Sequence, residues 1–186
     1  MSLEAYQQVL GMLREQIAAV GPHDRTRPTP CAEWNTTLLV SHVVSALEYY
    51  GRLSTGDAGV RPVRIELGPD DDLVAEFDAA AADGVAAWSA PGALDHEVHM
   101  MLGPMPARNS LAIHVADLTV HVWDLARARG ADIELPEDLA VSTLATWQSV
   151  CAHTDLHSGL AFDDEIAVDP AASPTARLVA YCGRTP

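Results

Sequence analysis

Between Ala112 and Gly130 the chain reads AIHVADLTVHVWDLARARG, an apolar helical segment carrying His114, Asp117, His121 and Asp124 at spacings of three, four and three. At helical pitch these four side chains fall in one stripe. Imidazoles and carboxylates set into an apolar helix must face water or converge on something that satisfies them, because a buried polar group without a partner costs free energy. The segment is therefore a helix that either lies at a surface or lends its stripe to a polar site inside a helical fold. A metal ion is the first candidate for such a site.

The flanking sequence supplies the other helices. Leu3, Tyr6, Leu10, Leu13, Ile17 and Val20 recur three and four apart, an amphipathic helix ended by Gly21 and Pro22. The prolines of RTRPTPCAEWN forbid helix, and Asn35 can cap a second helix from Thr36 whose inward stripe is Leu39, His42, Val43, Ala46 and Tyr50. Residues 51–69 read as a mobile connection. Asp70, Asp71 and Asp72 then open a third helix, where the macrodipole favours negative charge, with Leu73, Phe77, Ala81, Gly84 and Trp88 on its apolar face. The alternation of Leu94, His96, Val98 and Met100 predicts a short strand or hairpin between residues 90 and 108. The fourth helix spans about 108–129. A fifth begins at Pro136 with Leu139, Leu144, Trp147 and Cys151 on one face, an extended piece follows near Ile166 to Val168, and Ser173 caps a last helix. With neither repeats nor a low-complexity linker, residues 1–186 read as one all-α domain, an up-and-down four-helix bundle with a short extra helix and a small hairpin.

At 186 residues the chain can bury a core without disulfides or a structural metal, so a metal here would be functional. Cys31, Cys151 and Cys182 are too few and too scattered for a disulfide framework, which points to a reducing cytoplasm. The amino terminus lacks a signal-peptide core and no apolar run reaches membrane-span length, so a soluble, unprocessed chain is expected, as monomer or homodimer. The net charge is -15, and all 11 basic residues are arginines. Such a surface repels phosphates, which argues against nucleic acid as a partner.

Asp117 and His121, four apart, point side by side from one helix, a common way of presenting two ligands to one ion. His42, on the inward stripe of the second helix, is the best third ligand. Two histidines, one carboxylate and an open position suit catalytic zinc, and equally iron or nickel. Retention of the ion would weaken near pH 6 and below, since neutral imidazole ligates. The alternative is a core histidine hydrogen-bonded to backbone plus an intrahelical Asp117–His121 ion pair. His114 reads as an exposed helix residue or a supporting donor, and Asp124 as a structural residue or one that orients a histidine. His96 and His99 would stand on opposite faces of a strand, so they would not share an ion. His153 and His157 read as solvent-facing near a helix end. Cys31 precedes a helix amino terminus, where a thiolate is favoured, yet reads better as a buried, inert thiol beside Trp34. No residue is singled out as general base.

Three blocks carry a family resemblance. RPTPCAEWNTTLLVSHVVSALEYY resembles the cysteine- and tryptophan-bearing first block of the mycothiol-dependent maleylpyruvate isomerase amino-terminal domain family, in the DinB-like superfamily; DLTVHVWDLARARG resembles its second block, and SPTARLVAYCGRTP the tail of its single-domain actinobacterial members. The resemblance implies a DinB-like four-helix bundle and a divalent metal, usually zinc or nickel, on His42, Asp117 and His121. It further implies mycothiol as a cosubstrate whose metal-favoured thiolate adds to an electrophile, making small-molecule thiol and electrophile the expected partners. Asp117 stands where the isomerase is expected to carry glutamate, and Ala32 and Glu33 replace a usual Pro-Gly. The chain also ends where the full isomerase continues into a second domain, so maleylpyruvate isomerisation itself is not expected. A mycothiol S-transferase or related isomerase is the first functional expectation. The others are a non-catalytic metal-binding module for stress response or ligand binding, and a purely structural bundle with a solvated stripe.

Overall fold

The computed structural model describes residues 1–31, 34–56, 59–100, 102–157 and 161–186, and forms two compact units, residues 1–131 and 132–186. The Ala32 and Glu33 replacement lies outside the described residues. In the first unit four helices pack as a bundle: α1 (Leu3–Ala18), α2 (Thr36–Leu53), α3 (Leu73–Trp88) and α4 (Ala107–Ala128). Helices α1 and α2 each pack against both α3 and α4. Before α4 stands an antiparallel hairpin of β1 (Glu97–Met100) and β2 (Gly103–Pro106), with Val98 opposite Met105. The helical bundle with a small hairpin is therefore the architecture the periodicity predicts. No described helix is long and apolar enough to cross a membrane.

The local sequence explains the helix ends. Ser2, Asn35 and Asp72 cap α1, α2 and α3, each side chain accepting from a first-turn amide. Past α4, Gly130 takes a positive φ of 77°, which a residue with a Cβ adopts only at a cost. Helix α4 is the centre of the unit: 17 of its 22 residues are buried, and a helix buried nearly all round has no solvent face for a polar stripe. Residues 51–69 differ from the expected mobile connection. Helix α2 continues to Leu53, and an extended strap is tied to it by two serines one helical turn apart. Ser45 Oγ accepts the Ile65 amide at 2.8 Å and Ser41 Oγ accepts the Leu67 amide at 3.0 Å. Each hydroxyl spends its own proton on the carbonyl one turn back, Ser45 on Ser41 at 2.7 Å and Ser41 on Thr37 at 2.9 Å. A serine ladder hidden in a hydrophobic helix gives a loop its backbone partners.

Where α1, α2 and α3 meet, glycine is required. A Cβ on Gly84 would lie 2.5 Å from the Tyr6 hydroxyl, and Tyr6 is fully buried on a stiff ring. Replacing Gly84 with Ala should therefore lower stability by about 1–3 kcal/mol despite alanine's better helix propensity. Adding Tyr6→Phe removes the clashing oxygen, which has no hydrogen-bond partner among the described residues, and should recover most of the loss. Urea denaturation of both variants checks this; a double variant as unstable as the single one overturns it.

The second unit holds α5 (Glu137–Cys151) and α6 (Pro174–Tyr181), which pack together. Pro136 sits at the N-cap rather than inside the first turn, and Ser173 caps α6 by accepting the Ala176 amide at 3.2 Å. The piece near Ile166 makes one bond, from its amide to the Ala180 carbonyl at 3.0 Å, without becoming a strand.

Candidate metal centre

Helices α2 and α4 bring the three expected ligands together. His42, one turn after the first turn of α2, faces Asp117 across the helix interface, its Nε2 3.4 Å from Asp117 Oδ2. The other carboxylate oxygen, Oδ1, lies 3.4 Å from His121 Nε2. One nitrogen from each ring and one carboxylate oxygen all lie within 4.8 Å of one another. The two imidazoles meet edge to face at 4.9 Å. The His42 and Asp117 side chains keep 33% and 26% of their surface in solvent, whereas His121 keeps 6%, so the group is rooted in the core and open on one side. His42 also lines a cleft of about 450 Å³, walled besides by Trp34 and Ser45 and by the strap at Val63, Arg64 and Glu66.

Behind this group stands a second layer. Asp124, fully buried, accepts from His121 Nδ1 at 3.0 Å. The Cys31 thiol donates to the same Asp124 Oδ2 at 3.1 Å and lies 3.9 Å from His121 Nδ1. In the neutral ring with Nδ1 protonated toward Asp124, the Nε2 lone pair of His121 is left facing the Asp117 side, the tautomer a metal ligand needs. The Trp34 ring lies 4.7 Å from His42 and 6.3 Å from His121, covering the apolar edge of the pair.

The electrostatics match the geometry. Burial pushes the Asp117 carboxyl up, but the facing imidazoles of His121 and His42 outweigh it and hold the acid well below the usual carboxylate range. For His121 burial favours the neutral ring, and the opposing Asp117 charge, with hydrogen bonds to Asp117, Asp124 and Cys31, raises it well above the usual imidazole range. In the absence of an ion the pair thus stores a proton between carboxylate and imidazole. A divalent cation can take that proton's place against the same donors.

The remaining stripe residue behaves differently. His114 is not exposed: it is fully buried, stacked on Tyr50 at 4.2 Å with 12° between planes and tilted against Tyr6 at 5.5 Å. Neither ring nitrogen has a hydrogen-bond partner among the described residues. Burial drives its pKa down to about 3, so the ring is neutral. Cys31 also departs from the inert buried thiol expected of it, being half-buried and bonded to Asp124. The link to Asp124 spans 93 positions, which no local spacing displays. The spacing of Asp124 to His121, three on one helix, was the signal available for the orienting role, and the structure selects it. His96 lies outside this group, its ring bonding the Gly92 and Leu53 carbonyls, and His99 pairs with Glu97 at 3.6 Å. His153 bonds the Ser149 carbonyl at 3.0 Å in the open, while His157 is half-buried, packing its ring on Phe162 and Tyr181.

The model for the mycothiol maleylpyruvate isomerase N-terminal domain matches residues 6–126, from α1 into the last turn of α4, and so contains Cys31, His42, Asp117, His121 and Asp124. The chain belongs to this family. Two uncharacterised proteins from two strains of Mycobacterium tuberculosis are each 32% identical to it over 183 residues, 98% of this chain and 97% of theirs. Among solved structures, mycothiol-dependent maleylpyruvate isomerase superposes with a TM-score of 0.61 at 22% identity, over 77% of this chain. A histidine-to-alanine mutant of that isomerase gives 0.60 at 21%. The chain spans 66% of the isomerase's length. These structures establish the fold shared across the family.

Proposed function

We propose that the chain is a thiol-dependent metalloenzyme, a mycothiol S-transferase or related isomerase, with His42, Asp117 and His121 holding a divalent ion, zinc before nickel or iron. The observation that carries this reading is the convergence of two imidazole nitrogens and a carboxylate, rooted in two helices, with His42 itself lining an open cleft. Two histidines and a carboxylate leave a coordination position for an incoming ligand. When bound, the ion supplies Lewis acidity that favours thiolate over thiol at neutral pH.

The chain's own residues do the rest. Asp124 fixes the His121 ring and tautomer, and Trp34 shields the ligand edge from water. The serine-tied strap forms the outer wall against which a small thiol and its electrophile would lie. Mycothiol fits as the thiol because the family is defined by a mycothiol-dependent isomerase domain. The same proposal takes residues 1–186 as one functional domain working in the cytoplasm.

Calorimetric titration of zinc-loaded protein with mycothiol tests it. Saturable binding is expected, and its loss in His42→Ala. Zinc-loaded protein that binds neither mycothiol nor a small-thiol surrogate overturns the reading and leaves a metal-binding module without thiol chemistry.

A further inference from the structure

The second layer behind His121 is itself a set of metal-ligating atoms. Cys31 Sγ, His121 Nδ1 and Asp124 Oδ2 are separated by 3.9 Å for S to N, 3.1 Å for S to O and 3.0 Å for N to O. A tetrahedral ion with about 2.3 Å to sulfur and about 2.0–2.2 Å to nitrogen and oxygen sets these edges at about 3.3–3.6 Å. Shifts of a few tenths of an ångström therefore bring all three donors to bonding distance. Asp124 is fully buried and His121 nearly so, while Cys31 is half-buried, so the triad is anchored in α4 and reached from the Cys31 side.

The two triads differ in chemistry and share one residue. The cleft group offers nitrogen and oxygen only; this one adds a sulfur, which selects thiophilic ions. Their common member, His121, presents Nε2 to the first and Nδ1 to the second. A neutral imidazole has a single lone pair on one nitrogen and its proton on the other. With the proton on Nδ1, held by Asp124, the cleft site is competent. With the proton on Nε2, held by Asp117 Oδ1, the Cys31 side is competent. We propose that Cys31, His121 and Asp124 form a second site for a thiophilic divalent ion, occupied in alternation with the His42, Asp117 and His121 site. The alternation, though not the second site itself, rests on the metal-binding reading given above. Binding at the second site releases the Cys31 thiol proton and the His121 Nδ1 proton to solvent, leaves the Nε2 proton held by Asp117, and so takes the His121 lone pair away from the first site; a soft metal would switch that site off.

Cadmium alone is the probe, in two arms. In His42→Ala, which removes a cleft ligand and keeps the whole second triad, cadmium should bind and slow alkylation of Cys31, followed by peptide mass spectrometry, by about tenfold or more, because the free thiolate is the reactive form. Cys151 and Cys182 serve as internal controls whose rates should not change. Cys31→Ser in the same background should lose the ultraviolet thiolate-to-cadmium band. Unchanged Cys31 alkylation at saturating cadmium in His42→Ala overturns the second site, whatever the cleft does. In the unsubstituted protein, cadmium should release preloaded zinc one for one, read by a zinc indicator. Protection of Cys31 with zinc retained would keep the second site and overturn the alternation; zinc that never binds would defeat the cleft reading and leave the His42→Ala result standing.

Discussion

Taken from pH 7 to pH 4.5 without metal, the His114→Leu protein should lose about 2–3 kcal/mol less stability than the unsubstituted chain. The sign follows from linkage. The folded pKa of His114 is depressed to about 3 from an ordinary value of 6.5. Between those values the unfolded chain takes up a proton that the folded chain refuses, so stability falls as pH falls through 6.5 and continues to fall until about pH 3. The full window is worth about 5 kcal/mol, at 1.36 kcal/mol per pKa unit. Desolvation is the main cause, with Asp117 raising the pKa and His42 lowering it through charge. Both remain in the variant, as does His121, so comparing the two proteins removes their own titrations. At pH 7 the leucine should change stability by less than about 1.5 kcal/mol, because it fills a similar volume and deletes two buried nitrogens that have no partner among the described residues. Urea denaturation at the two pH values measures the difference; parallel losses in both proteins would show that His114 protonates without unfolding.

Replacing Asp117 with Asn should weaken zinc binding by about 100-fold or more, roughly 3 kcal/mol, while far-ultraviolet circular dichroism stays unchanged. The carboxylate is the only charged donor in the cleft triad, and it sits between both imidazoles, so one atom's substitution removes the group's charge and a ligand together. Helix α4 keeps its core contacts, because Asp117 is partly exposed and lies outside the buried set. Asp124→Asn should cost about 10–100-fold through loss of the acceptor that orients His121. Equilibrium dialysis against a zinc buffer reads both. Equal zinc affinity in Asp117→Asn and the parent would remove Asp117 from the site.

The aspartate is also where this chain is expected to part from the isomerase it resembles. With one methylene fewer than glutamate, Asp117 reaches His42 and His121 at 3.4 Å each, using a different oxygen for each ring. The close approach of α2 and α4 makes that short side chain sufficient. Family membership supports a mycothiol-related function. The strap residues Arg64 and Glu66, themselves paired at 2.9 Å, line the cleft beside His42.

Much of the fold was legible because its signals are local. Helical periodicity, the caps at Asn35 and Ser173, the acidic run Asp70 to Asp72 at the start of α3, and the stop at Gly130 each depend on residues within one turn of each other. The hairpin was legible from alternation alone, although only Val98 of its first strand is buried. The strap was not legible, since nothing near residues 63–67 announces that hydroxyls from α2 will supply their partners.

The candidate site divides in the same way. Spacing along one helix placed Asp117 beside His121 and Asp124 within reach of it, because a helix converts sequence separation directly into position. The same stripe could not say which of its members face water. His114 and Asp124 are both fully buried, yet one is stacked between tyrosines and the other holds a histidine and a thiol. That choice is made by α1, α2 and the Cys31 turn, which bring Tyr6, Tyr50, His42 and Cys31 to α4 from distant parts of the chain. The sequence by itself determined which polar residues share a helix face; only the tertiary packing decided what each one meets, because burial and pairing depend on the surfaces that close over a helix and not on the helix's own repeat.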